Sequence, residues 1–230
     1  MIRYLLFTVI ISFPATEFLG QSFSKYYFGG SIGAAIPSNW GEKQFNIGFA
    51  DVAKPGPHIA FDGRWFYNKR LSLGVDMSYA RLGQNRGFWN VSRYGEVALS
   101  YTMLQSTIHG CYYFDDRGFM PYTGIGFGAY WLLNNLSFRS AYSGTDADAS
   151  VKYQTRTLKP GFAPQAGFLV KASKRSFLFI DIKFQIIPNI KPEQVYVLDD
   201  WGNNIDVVTQ NPHGHQNHWV ISAGILFGSK

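Results

Sequence analysis

Apolar residues alternate with small or polar ones, with a period of two, in eight segments of the chain. That repeat sends successive side chains to opposite faces of a β-strand. In Phe177 to Pro188, Leu178, Ile180, Ile182, Phe184 and Ile186 share one face, and Asp181, Lys183 and Gln185 the other. The final segment sets Trp219, Ile221, Ala223, Ile225 and Phe227 against His218, Ser222, Gly224 and Gly228. Leu71 to Ala80 alternates in the same way, and Ile125, Phe127, Ala129 and Trp131 are interleaved with Gly124, Gly126 and Gly128. Four less regular segments complete the set: Tyr26 to Ile36, His58 to Tyr67, Glu96 to Phe114 and Gly161 to Ala172. The third of these changes phase near Met103 and Leu104, which predicts a bulge. Pro160 and Pro164 predict a strand end or bulge in the fourth. No helical periodicity of useful length follows Gln21.

The connections alternate strictly in length. Asn68 to Arg70, Asp115 to Gly118 and Ser173 to Ser176 read as tight turns, whereas Pro37 to Pro57, Gly83 to Gly95, about Leu133 to Arg156, and Asn189 to Asn217 are long and polar. Short turns at one end and long loops at the other describe an eight-stranded antiparallel up-and-down barrel. Aromatic residues gather beside the short turns, at Tyr26 to Phe28, Trp65 to Tyr67, Tyr112 to Phe114, Phe119, Tyr122, Phe177 and Phe227. A sparser set, Tyr79, Tyr130, Trp131 and Trp219, lies toward the other end. Two such bands fit the two interfaces of a membrane.

Composition narrows the choice. The 230 residues are 46% hydrophobic, 17% aromatic and only 16% charged, which is no composition for a disordered chain. A mean hydropathy of −0.09 and the lack of an unbroken run of about 20 apolar residues exclude a polytopic helical membrane protein. Alternation explains that average, because each apolar residue is offset by a small or polar one. Cys111 is the only cysteine, so a disulfide framework is excluded. Met1 to Arg3 followed by the apolar run Tyr4 to Phe13 reads as a secretory signal peptide. Residues 1–20 are therefore expected to be removed and 21–230 to form one barrel domain. The net charge of +6 is spread over loops and turns.

A soluble barrel of the lipocalin kind would turn its apolar face inward, leaving Gly124, Gly126 and Gly128 as a bare exterior. Facing the lumen of a narrow membrane barrel, they relieve crowding instead. The stretch Pro121 to Gly128 (Pro-Tyr-x-Gly-x-Gly-x-Gly) and the closing amphipathic strand Trp219 to Phe227 are the most specific pieces. The arrangement resembles the small outer-membrane β-barrel proteins of Gram-negative bacteria, the OmpA, OmpX and OmpW-like family. The resemblance implies a non-enzymatic barrel in the bacterial outer membrane, without a cofactor, in contact with outer-membrane lipid and lipopolysaccharide. It also implies insertion by the barrel-assembly machinery, which commonly reads a terminal aromatic; here Phe227 is followed by three more residues. The chain ends and short turns then face the periplasm, and four long loops face outward to meet a protein partner. Two further implied roles are a conduit for small hydrophobic molecules, as in OmpW-like proteins, and an accessory barrel of a secretion or motility machine.

Candidate chemistry is sparse. Asp62, Arg64, Asp76, Asp181 and Lys183 are expected inside, paired with one another as a structural plug, the rival being a proton or ion path. Leu178, Ile180, Ile182, Phe184, Trp219, Ile221, Ile225 and Phe227 are expected to face lipid. His213, His215 and His218, with Asp199, Asp200 and Asp206 upstream, form the best metal candidate, suited to Zn²⁺ or Cu²⁺, although no fixed zinc signature is matched. For a lipid A-modifying enzyme the available pairs are Ser106 with His109 and His218 with Ser222. The first pair faces opposite sides of a strand, and the second lacks the His-x-Ser spacing of the lipid A deacylases. Arg139, Lys152, Arg156 and Lys159 form a basic group suited to lipopolysaccharide phosphates. No nucleic-acid motif is present.

Overall fold

The computed structural model describes residues 25–40, 48–89, 95–115, 118–140, 150–173, 175–188, 193–198, 204–210 and 216–229. The expected signal peptide, 1–20, lies outside the described residues. Eight strands form the wall: β1 (Tyr26–Pro37), β3 (Gly56–Phe66), β4 (Leu71–Gln84), β5 (Gly95–Tyr113), β6 (Phe119–Ser140), β7 (Ser150–Lys171), β8 (Ser176–Gln185) and β11 (His218–Gly228). Each pairs antiparallel with the next, β1 pairs with β11, and the β7–β8 and β8–β11 ladders close the barrel. Closure leaves the lower wall without an edge, the condition lipid imposes on a spanning sheet, and the ladder is interrupted only toward the long-loop end, between β7 and β8.

Period-two alternation sorts the side chains. Outward positions are apolar and exposed, among them Ile32, Phe61, Met77, Ile108, Phe127 and Ile182. Inward positions are buried. Gly74 shows why a small residue is needed on the inner face: a Cβ there would strike the His109 ring and the Gly63 carbonyl. Gly118, at φ +99°, opens the β6 end of a tight turn where a side chain would be strained.

Several sequence expectations are corrected. β5 runs through Met103 and Leu104 without a register shift on either side, so there is no bulge. Both residues are large because Met103 points into the lumen and Leu104 outward. Pro160 and Pro164 lie inside β7, in unbroken register with β6. They share the parity of Phe162, which exchanges both backbone bonds with Ile186 of the chain beyond β8. Their donorless nitrogens therefore face the β8 side, where regular pairing stops at Gln165–Lys183.

The long links are more structured than expected. β6 and β7 stay paired as far as Arg139–Ser150. The last link contains β9 (Glu193–Leu198) and β10 (Asn204–Gln210), with β9 added to the upper end of β7. The first link contains the single-turn helix α1 (Phe49–Val52) and β2 (Ala53–Lys54), which pairs with β4. The second contains α2 (Arg86–Trp89).

Candidate functional site

The lumen is built in three layers. At the short-turn end Tyr27, Phe66, Cys111, Tyr113, Met120, Tyr122, Leu169, Phe177, Phe179 and Leu226 form an apolar plug. Tyr27, Phe66, Tyr113, Tyr122 and Phe177 had been expected in the interface band. The alternation splits that band: Tyr26, Phe28, Trp65, Tyr67, Phe114, Phe119 and Phe227 are exposed, and the residues of opposite parity fill the mouth. At the long-loop end a second plug joins Ala35, Ala80, Leu82, Tyr101, Met103, Tyr130, Leu132, Ile187 and Val220 with Phe49 of α1.

The α1 turn is held as a cap. Asn39 Nδ2 donates to Asp51 Oδ1 (2.9 Å), the Ala50 amide donates to Asn39 Oδ1 (2.7 Å), and Asn85 Nδ2 donates to the Asp51 carbonyl (2.8 Å). These bonds set Phe49 edge-on against Tyr101 with ring centroids 5.0 Å apart.

Between the plugs lies a charged layer. All five expected charges, Asp62, Arg64, Asp76, Asp181 and Lys183, are buried there. Asp62 and Asp76 are directly opposed across β3 and β4, a repulsive register unless cations intervene. Arg64 forks onto Asp62, with Nε 3.0 Å and Nη2 2.9 Å from its two oxygens. Its Nη1 donates to the Tyr113 hydroxyl (3.1 Å), and the guanidinium lies 5.0 Å from the Tyr122 ring centroid and 5.2 Å from that of Phe179. Lys183 crosses the lumen to Asp76 (2.8 Å) and reaches Asp181 at 3.4 Å. Gln105 adds a bond to Asp76 (3.4 Å), and the Tyr130 hydroxyl donates to Gln185. His109 stands 4.0 Å from Asp62, and neither ring nitrogen of His58 or His109 has a hydrogen-bond partner among the described residues. The alternation already places Gln185 inward with Asp181 and Lys183, whereas Gln105 and Gln165 were not singled out and Tyr113, Tyr122 and Tyr130 read as interface residues.

Most outer-wall residues face outward as expected: Leu178, Ile180, Ile182, Trp219, Ile221 and Phe227 are exposed and Ile225 is half-buried. Phe184 is the correction. Its position is outward but it is buried, because Trp219 (4.4 Å between centroids) and Trp40 (5.3 Å) cover it. Trp40 is tied in place by Asn217, whose Nδ2 donates to the Trp40 carbonyl (2.8 Å) while its Oδ1 accepts from the Ile187 amide (2.9 Å). The cover sits where β7 and β8 part.

The remaining candidates are dispersed. His213 and His215 lie outside the described residues, and His218 is buried at the start of β11 with Nδ1 3.1 Å from the Gln216 carbonyl. No group of three metal-ligating side chains occurs among the described residues. Ser106 faces outward and His109 inward, while His218 and Ser222 both face the lumen. The basic group is divided, with Lys152 and Arg156 exposed and Lys159 buried.

No family model matches the chain, and no curated protein matches it. Among solved structures, the chain is similar to the outer membrane protein OprG from Pseudomonas aeruginosa, with a TM-score of 0.55 and 11% identity over 90% of this chain and 97% of that one. It is also similar to a major outer membrane protein from Thermus thermophilus, with a TM-score of 0.54 and 13% identity over 88% and 98%. The fold is that of the small outer-membrane β-barrels. In this barrel the wall carries the apolar surface, and the lumen is packed with side chains, as an eight-stranded barrel requires.

Proposed function

We propose that the chain is an integral, non-enzymatic protein of the bacterial outer membrane that meets its partner through a sheet standing above the barrel. The reading rests on the lengths of β6 and β7, 22 residues each. A tilted strand needs only about 9–11 residues to cross the hydrocarbon layer. The surplus forms, with the upper end of β5 and with β9 and β10, a wall above the membrane. β10 is its last strand and, among the described residues, pairs only with β9. Such an edge offers unpaired backbone donors and acceptors to an extended segment of another protein.

The reading predicts the result of adding protease to intact cells that produce the chain. Cleavage is expected within residues 141–149 and 189–217, with the short turns protected and the membrane-embedded fragment still changing its gel migration on boiling. Cleavage at Asn68 to Arg70 instead, or a protein in the soluble fraction whose migration ignores boiling, would refute it.

A lateral conduit for small hydrophobic molecules is the second reading, supported by the interrupted β7–β8 ladder beside the apolar upper plug. Phe184, Trp40 and Tyr130 with Gln185 close that place, so Phe184→Ala combined with Trp40→Ala is expected to speed entry of a small hydrophobic dye into barrel-containing vesicles. An unchanged rate in the double variant argues against the conduit.

A further inference from the structure

The outer wall is not evenly bulky. Ser106 and Ala129 are adjacent outward residues on β5 and β6, and the large side chains around them leave a groove of about 600 Å³. Phe61, Met77, Leu104, Trp131 and Leu158 form its rim. Tyr79, Leu104, Trp131 and Leu158 share one register row across β4 to β7, so the groove crosses four strands.

Two residues beyond Tyr79 on the same face of β4 is Arg81, exposed. Leu71 to Arg81 is the length of strand that crosses a hydrocarbon layer, which sets Arg81 at the outer boundary of the apolar wall. Lys54, also exposed, pairs with Gly83 and is thus the diagonal neighbour of Arg81. Neither cation meets an acidic side chain among the described residues. Arg156 lies in the same register row as Arg81, three strands away, or about 14 Å at the usual strand spacing. Its exposed guanidinium is engaged only with Gln154 among the described residues, with Nε 3.0 Å from Oε1.

An apolar groove in the outer half of the wall, topped by unpaired cations, is complementary to a lipid that has saturated chains and an anionic headgroup. We propose that this patch binds the phosphorylated glycolipid of the outer leaflet, lipid A, with one acyl chain in the groove over Ser106 and Ala129 and a headgroup phosphate on Arg81 and Lys54. Arg156 meets a second phosphate. Arg supplies a fork of N–H donors to phosphate oxygens and Lys a point charge. The inference rests on the reading that the long-loop end faces the cell exterior.

The test is native mass spectrometry of the full chain released from micelles carrying diphosphorylated lipid A, dephosphorylated lipid A or phosphatidylglycerol. The wild-type barrel is expected to retain the diphosphorylated form. Arg81→Gln with Lys54→Gln is expected to lower retention by about tenfold or more, and Ala129→Trp, which fills the groove from the surface, is expected to lower it while the barrel still shows heat-modifiable migration. Lys171→Gln, an exposed charge at the short-turn end, is expected to change nothing. Equal retention by wild type and the double variant overturns the inference, as does equal binding of phosphatidylglycerol or of dephosphorylated lipid A. Retention in micelles does not depend on orientation in the cell. A wild-type barrel that retains no more diphosphorylated lipid A than the double variant, with the expected protease pattern, therefore defeats this inference alone, whereas an inverted protease pattern defeats the reading beneath it as well.

Discussion

Replacing Arg64 with alanine is expected to cost the folded barrel about 3–5 kcal/mol, the usual consequence of leaving a buried charge without its partner. Asp62 is 1% exposed, and among the described residues Arg64 supplies its closest ion pair and its side-chain hydrogen bonds, with His109 farther off at 4.0 Å. The same substitution removes a donor from the Tyr113 hydroxyl and opens a space between the Tyr122 and Phe179 rings. Urea unfolding in micelles, followed by the gel migration of unboiled samples, gives the number. The companion variant is Arg64→Met with Asp62→Leu. It removes both charges and keeps volume, and is expected to recover most of the loss, because a buried ion pair is worth little relative to apolar side chains of similar size. A single variant as stable as wild type would show that the pair does not hold the layer together. A double variant as unstable as the single one would assign the loss to the hydrogen bond and ring contacts that Arg64 makes with Tyr113, Tyr122 and Phe179 rather than to a stranded charge.

Lys183→Met is expected to destabilise by a comparable about 3–5 kcal/mol, for a different reason. Lys183 serves two carboxylates, at 2.8 Å and 3.4 Å, so its loss strands both. Asp76 keeps the Gln105 amide, whereas neither Asp181 oxygen has a hydrogen bond among the described residues. Adding Asp181→Asn to Lys183→Met should therefore return more stability than adding Asp76→Asn. The reverse order, read from the same unfolding curves, would show that Asp76 is the carboxylate that depends on this lysine.

The wall was legible because its rule is local. In Phe177 to Pro188 and in Leu71 to Ala80 one residue in two is apolar, and the three charges on the opposite face, Asp76, Asp181 and Lys183, lie inside, as do Asp62 and Arg64 of the less regular His58 to Tyr67. The aromatic bands were misread where adjacent rings alternate: Tyr26 and Tyr27 look alike in sequence, but one is exposed and the other fills the mouth. Met103 beside Leu104 suggested a bulge because a polar lumen was assumed along its full height, while the lumen is apolar at both ends. The sheet that β9 and β10 add to the upper end of β7 left little signal, since both strands are short and carry no sustained apolar alternation. Pro160 and Pro164 suggested a strand end or bulge, yet both lie inside β7 in unbroken register with β6; their missing donors fall on the β8 side only, a distinction that requires the partner strands to be known. The candidate groove was illegible for a related reason: Ser106 and Ala129 become neighbours only through the β5–β6 register.

Closure has a consequence for how the chain reaches this state. β1 pairs with β11, so Tyr27 lies against Gly228, near opposite ends of the polypeptide. Until the last strand has emerged, the first exposes one entire row of backbone donors and acceptors, and the growing sheet has two open edges. Contacts so distant along the chain form slowly, and an unfinished sheet with apolar faces and free edges is a template for aggregation. The final eleven-residue strand, β11, is thus the piece without which none of the preceding ones can be completed, and truncation there should be felt at the N-terminus.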